Sequence, residues 1–238
     1  MQASIESTGL FGSKLSAHSL PPIQRRGVSS AGELGFRRRC RILRRGEHLF
    51  RTGDRVDRVY RTVGGILKSY VMHVDGDEQV IGFHLPGDLI GIDTLADECA
   101  AFSVVALNTS SVQSIAVARD GSTVQSKAHQ KMMLCWMQDE ILRMAHLLHM
   151  ERAGTDERLA RFLLDFSAAQ QQRGYSANEF HLPMGRKDLA RYIGMSPETL
   201  SRIFGRLRAA GVLEVENNHI VILDADKLRA LSRKARQP

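Results

Sequence analysis

A chain of 238 residues, 43% hydrophobic and 25% charged, has the length of two ordinary domains and the composition of a soluble globular protein. No apolar run approaches the roughly 20 residues of a membrane span, and no secretory core opens the chain. Cys40, Cys99 and Cys135 are too scattered for a disulfide framework or a CxxC metal pair, so a reducing cytoplasm is the expected setting.

The net charge of +7 is unevenly spread. Residues 1–45 hold nine Lys/Arg against two acids, 46–180 hold thirteen against eighteen, and 181–238 hold eleven against six. A basic C-terminal module on an acidic body suits a polyanion contacted mainly by one end, and nucleic acid is the obvious one.

Residues 1–33 are rich in Ser, Gly, Gln and Pro and lack periodicity, so a loosely ordered segment is expected. Arg37, Arg38, Arg39, Arg41, Arg44 and Arg45 follow, read as solvated faces of a first helix and strand. From Ile42 to about Val117 come short β segments (HLFRTGD, RVYRTVGG, ILKSYVMHVDGDE, QVIGFHLPGDLIG, FSVVALN, SVQSIAV) broken by glycine turns. That texture predicts an antiparallel barrel or jelly roll over residues 34–121.

A long helix is expected next, from about Ser122 to Met150 within a unit spanning 122–153. Leu134, Met137, Ile141, Met144 and Leu148 alternate at spacings of three and four, the seam of a two-stranded coiled coil. Met133 and Leu147 lie off that stripe and are available to the barrel, so the seam is expected to join two copies of the chain. His146 and His149 have metal-ligand spacing but no evident third ligand.

After Gly154-Thr155, a plausible hinge, the segment DERLARFLLDF (156–166) starts a new amphipathic helix, and His181–Pro183 reads as a short strand. Arg186–Ala209 then reads as two helices around a tight corner. Leu189 and Ile193 mark the first helix, with the small Ala190 where a second could cross closely. Gly194 can turn the chain, Ser196 can cap, and Pro197 sits at the first position of the next helix. Leu200, Ile203 and Leu207 form its buried face, while Glu198, Ser201, Arg202 and Arg206 look outward. This is the spacing of a DNA-binding helix-turn-helix. A hairpin through LEVENNHIVIL, turning at Asn217-Asn218, adds a wing to the domain 154–238, and a helix from Ala225 to Leu231 follows. The fold class is thus α+β: β-roll, long dimerisation helix, winged helix-turn-helix.

Parts in this order resemble the CRP/FNR superfamily of bacterial transcription regulators, with a roll like the cyclic-nucleotide-binding domain. The stretches GDEQVIGFHLPGDLIGID (76–93), DERLARFLLDF and SPETLSRIFGRL place the resemblance in the FNR branch. The family's E-x-x-S-R pattern stands here as Glu198, Ser201 and Arg202. These lie at i, i+3 and i+4, on one helix face, with a carboxylate for cytosine N4 and a guanidinium for guanine O6 and N7. The resemblance implies a homodimer on double-stranded DNA, reading an inverted TTGAT-N4-ATCAA site. Arg186, Lys187, Arg191, Arg206 and Arg208 are expected at phosphates. It also implies recruitment of RNA polymerase, through exposed roll loops such as Asp75–Asp77, or repression by occupying a promoter.

Departures from the family matter equally. Oxygen-sensing members hold a [4Fe–4S] cluster on four cysteines; residues 1–39 here have none, and Gln113 stands where the roll cysteine would be. No iron–sulfur cluster is expected. Cyclic AMP is not expected either: Gly91-Ile92-Asp93 and Ala100-Ala101-Phe102-Ser103 replace the nucleotide-binding residues, leaving no arginine for the phosphate and an Asp93 to repel it. The alternative reading is a ligand- or redox-gated sensor whose roll takes an unidentified effector, or haem on His48, His73 or His84, with Cys40, Cys99 or Cys135 as the redox element. No nucleophile–base arrangement, phosphate-cradling loop or HExxH suggests an enzyme.

Overall fold

The computed structural model describes residues 40–94, 99–116 and 153–233, together with residues 134–135, 137–138, 141–142 and 144–145. The N-terminal segment, most of the 122–153 unit, Leu148, His146, His149 and the basic tail lie outside the described residues.

Eight strands build the roll: β1 (Cys40–Leu43), β2 (His48–Phe50), β3 (Arg58–Gly64), β4 (Leu67–Met72), β5 (Glu78–His84), β6 (Leu89–Ile90), β7 (Ser103–Ala106) and β8 (Ser110–Ala116). They pair antiparallel into two four-stranded sheets, ordered β1-β8-β3-β6 and β2-β7-β4-β5, as the glycine-punctuated text predicts. The turn between β3 and β4 requires glycine at 65: φ is +72°, and a Cβ would lie 2.4 Å from the Thr109 carbonyl oxygen. Between the sheets, Leu43, Phe50, Leu67, Ile90, Phe102, Val104 and Val112 form a continuous apolar core.

The C-terminal part opens with α1 (Thr155–Gln172), which buries Leu159, Ala160, Phe162, Leu163 and Phe166. It runs beyond DERLARFLLDF because the alanines and glutamines that follow are good helix formers, and it stops before Gly174 at φ +81°. Then come β9 (Glu179–His181), α2 (Arg186–Tyr192), α3 (Pro197–Ala209), β10 (Leu213–Glu216), β11 (His219–Ile222) and α4 (Ala225–Ser232). The short strand lies two residues earlier than His181–Pro183. Proline has no N–H for a ladder, and Phe180, opposite Ile220, is the residue that fixes the register by its burial. The hairpin of β10 and β11 turns where expected, with Asn217 at φ +52°.

Roll and C-terminal domain share one core. Val80, Phe83 and Leu85 of the roll pack in the same cluster as Leu159, Phe162 and Leu189. Phe83 meets Tyr192 at 5.1 Å between ring centroids, and Tyr192 meets Phe162 at 5.8 Å. This covering explains why four successive β4 residues, Leu67 to Tyr70, are buried. One face of the strand points into the roll and the other is roofed by the C-terminal domain.

Candidate nucleic-acid interface

The corner between α2 and α3 is built as its residues dictate. Gly194 adopts φ +66°, and a Cβ there would also sit 2.9 Å from the Arg158 guanidinium. Arg158, from α1, donates to the carbonyl oxygens of Ile193 at 2.9 Å and Gly194 at 2.7 Å. It thus supplies a cation and a donor where α2 leaves unpaired carbonyls. Ser196 caps α3 by accepting from the Thr199 N–H at 3.1 Å, with Pro197 next in the first turn.

Behind α3, Leu200, Ile203, Phe204 and Leu207 are 0%, 1%, 5% and 6% exposed. Phe204, unassigned by the sequence reading, joins that row one residue after Ile203. Glu198, Ser201, Arg202, Arg206 and Arg208 are all exposed on the outer side. The Glu198 carboxyl is held below its ordinary range by its own backbone N–H, then by the Ser196 hydroxyl and the nearby Arg202 charge. It is therefore an anionic acceptor at neutral pH. Arg202 Nη2 donates to Thr199 Oγ1 at 3.2 Å, a single neutral contact that leaves most of the guanidinium fork available. The outer face of α3 can accept from, and donate to, base edges at the same time.

The basic residues expected at phosphates separate into two groups. Lys187 and Arg208 are exposed, and Arg206 makes an exposed pair with Asp156 that water screens. Arg191 instead reaches the β4–β5 hairpin of the roll, 2.8 Å from Glu78 Oε2 and 3.8 Å from Asp77. Arg186 lies with its guanidinium carbon 3.9 Å over the Phe204 ring and donates to the Asn217 carbonyl at the wing tip. Burial lowers its pKa from the ordinary arginine value without removing the charge. These two hold domain and wing in place, and neither guanidinium is turned out toward a phosphate. Their neighbours decide this: a guanidinium takes a carboxylate or an aromatic face in reach before it takes water.

Of the seam expected on a long helix, Leu134, Met137, Ile141 and Met144 are helical and 67%, 49%, 67% and 46% exposed in the single chain. In the roll, the histidines weighed as haem ligands have other surroundings. His84 is buried with Nε2 3.1 Å from Ser69 Oγ, His48 Nε2 is 2.9 Å from the Tyr70 hydroxyl, and His73 is exposed. Phe50, with the Tyr60 and Phe102 rings each 6.3 Å from its own, fills space between the sheets.

Residues 157–231 match the model of a Crp-like helix-turn-helix domain, and residues 40–119 match that of a cyclic nucleotide-binding domain. The chain is 37% identical over 197 residues to the transcriptional activator protein FnrA of Stutzerimonas stutzeri, covering 82% of this chain and 81% of that one. It is 34% identical over 200 residues to the electron transport regulator A of Shewanella oneidensis, covering 83% and 80%. The solved structure of FixK2 from Bradyrhizobium japonicum superposes with a TM-score of 0.74 at 25% identity, over 84% of this chain and 100% of that one. Among the described residues, no helix is long and apolar enough to cross a membrane.

Proposed function

The chain belongs to the CRP/FNR family of transcription regulators, a DNA-binding rather than an enzymatic family, and on that premise we propose that it acts as a homodimer reading an inverted TTGAT-N4-ATCAA site. The observation that carries the reading is the outward presentation of Glu198, Ser201 and Arg202 on α3, whose opposite side is sealed into the core. Glu198 accepts from a cytosine amino group, Arg202 forks onto a guanine, and Ser201 adjusts to a neighbouring edge. Lys187, Arg206 and Arg208 supply phosphate contacts. The exposed stripe Leu134, Met137, Ile141 and Met144 supports pairing of two chains, whose two-fold axis then matches that of the site.

Control by oxygen through an FNR-type cluster does not fit this chain. Four thiolates are needed and three cysteines are present, with Gln113 paired opposite Cys40 on β8 and β1. The aromatic filling of the roll, together with Asp93 in the place that would face a phosphate, supports a regulator whose roll works without cyclic AMP. Relatives named as activators support activation, with the β4–β5 loop Asp75–Asp77 offered to RNA polymerase.

Selection of bound fragments from a random DNA pool by the purified protein, with and without air, tests this. The expected result is enrichment of the paired TTGAT element under both conditions. A pool without enrichment would refute sequence-specific reading.

A further inference from the structure

Charges cross the boundary between roll and C-terminal domain at two places: Arg173, just after α1, lies 3.5 Å from Asp88 and donates to the Pro86 carbonyl at 3.1 Å, and a larger group gathers on β4 and α2. Lys68, on β4, is 8% exposed along its side chain, with Nζ 3.1 Å from Glu78 Oε2 and 2.8 Å from Asp188 Oδ1. Glu78 starts β5 of the same hairpin, whereas Asp188 stands in the first turn of α2. Arg191, one turn further along α2, closes the group by pairing with the same Glu78 oxygen at 2.8 Å. The Gln79 side-chain amide donates to the Arg191 carbonyl at 3.2 Å, and Phe83 meets Tyr192 at a tilt beside it.

The β4–β5 hairpin therefore grips the first helix of the helix-turn-helix with two cations, two carboxylates and an aromatic pair. The outer face of α3 stays open throughout. Lys68 is buried while Glu78 and Asp188 keep part of their surface in water, so the pair is worth more as a directional tie than as a large stabilising contact. Its members bond over a narrow range of directions, and each leaves an uncompensated charge when parted.

The geometry points to Lys68 as a positioning residue for DNA reading, acting through Asp188 to fix where each recognition helix stands relative to the dimer axis. This rests on the homodimer and inverted-repeat reading above. In such a dimer, half-site spacing is set by the distance and angle between two recognition helices. Adding or removing one base pair of spacer moves a half-site by about 3.4 Å and turns it by about 34°. A domain gripped by the hairpin cannot follow that movement without parting Lys68 from Asp188. Without that pair the domain keeps its apolar seam and the Arg173 contacts to the roll but loses its directional tie at α2, so the helix can tilt on the seam and follow in part.

The test measures binding by fluorescence anisotropy to inverted repeats with N3, N4 and N5 spacers and to a single half-site. Wild type, Asp188→Asn, Lys68→Met and the double variant are compared. Asp188→Asn keeps size and leaves Lys68 on Glu78, so it serves as the folding-competent variant if Lys68→Met is unstable. Wild type should prefer N4 over N3 and N5 by at least about tenfold, because a misplaced half-site forfeits its base contacts.

Asp188→Asn should narrow that preference at least about threefold, with the penalty for a mismatched base inside the half-site unchanged. The double variant should do no more than the single ones, as expected for residues acting through one pair. Folded variants that keep the wild-type spacer preference would overturn the assignment. So would variants that lose spacing and mismatch discrimination in step with their thermal stability, since that is a purely structural role. A wild-type protein with no half-site preference at all would instead refute the DNA-reading proposal on which this one stands.

Discussion

Arg202→Ala should erase sequence preference while leaving fold and bulk DNA affinity nearly intact. The side chain is exposed, and within the domain it gives up a hydrogen bond to Thr199 Oγ1 of 3.2 Å at the surface. Leu200, Ile203, Phe204 and Leu207 hold α3 from the other side, so stability should change by no more than about 0.5 kcal/mol. A bidentate guanidinium on guanine supplies about 1–3 kcal/mol of discrimination, and a dimer makes the contact twice. The expected loss is therefore about 2–6 kcal/mol, or roughly 30-fold to 10⁴-fold in the ratio of specific to nonspecific affinity.

Competition of a labelled inverted repeat against calf-thymus DNA, in a mobility-shift assay at several salt concentrations, separates the two ways an arginine can matter. A base-reading residue lowers specific affinity and leaves the salt slope nearly unchanged. A phosphate-binding residue lowers both affinities together and reduces the slope by about 0.9 per contact. An Arg202→Ala protein with equal losses on both DNAs, or no loss of selectivity, would remove this residue from base reading.

The other expectations are quickly stated. Ile141→Glu places a charge in the middle of the exposed stripe and should give a monomer by sedimentation at micromolar concentration; a persisting dimer would show that the seam lies elsewhere. With Arg186 and Arg191 held internally, three of the five expected cations per protomer, Lys187, Arg206 and Arg208, remain solvent-facing for phosphates, so log K against log salt should slope at about −5, not the roughly −9 of all five. A slope of about −7 would mean that the hairpin releases Arg191 on DNA, and one of about −9 that the wing releases Arg186 as well.

Local physics made much of this molecule readable from its text. The cap, the corner glycine and the apolar row of α3 act within a few residues of one another, so Ser196, Gly194, Leu200, Ile203 and Leu207 could be placed without a structure. The roll was equally legible, because strands of two to seven residues between glycine turns leave few alternatives. Phe180 was missed because a three-residue strand has no period to read, and the neighbouring Pro183 drew the assignment toward itself.

Long-range charge was illegible for a different reason. An arginine facing phosphate and one facing a carboxylate of its own chain have the same hydropathy and the same helical position. Only the partner tells them apart, and here it lies 113 residues away for Arg191 and Glu78, and 120 for Lys68 and Asp188. Strand alternation correctly sends Lys68 away from the roll interior. It cannot say that a second domain roofs that side and turns a surface lysine into a buried one. The basic bias of the C-terminal domain is thus partly spent inside the protein. Arg158 and Arg191 hold the reading head at its back and underside, Arg186 ties the wing to it, and Lys68 meets it from the roll. Rigid placement of two such heads, more than total positive charge, is what would let a dimer distinguish one spacing of half-sites from the next.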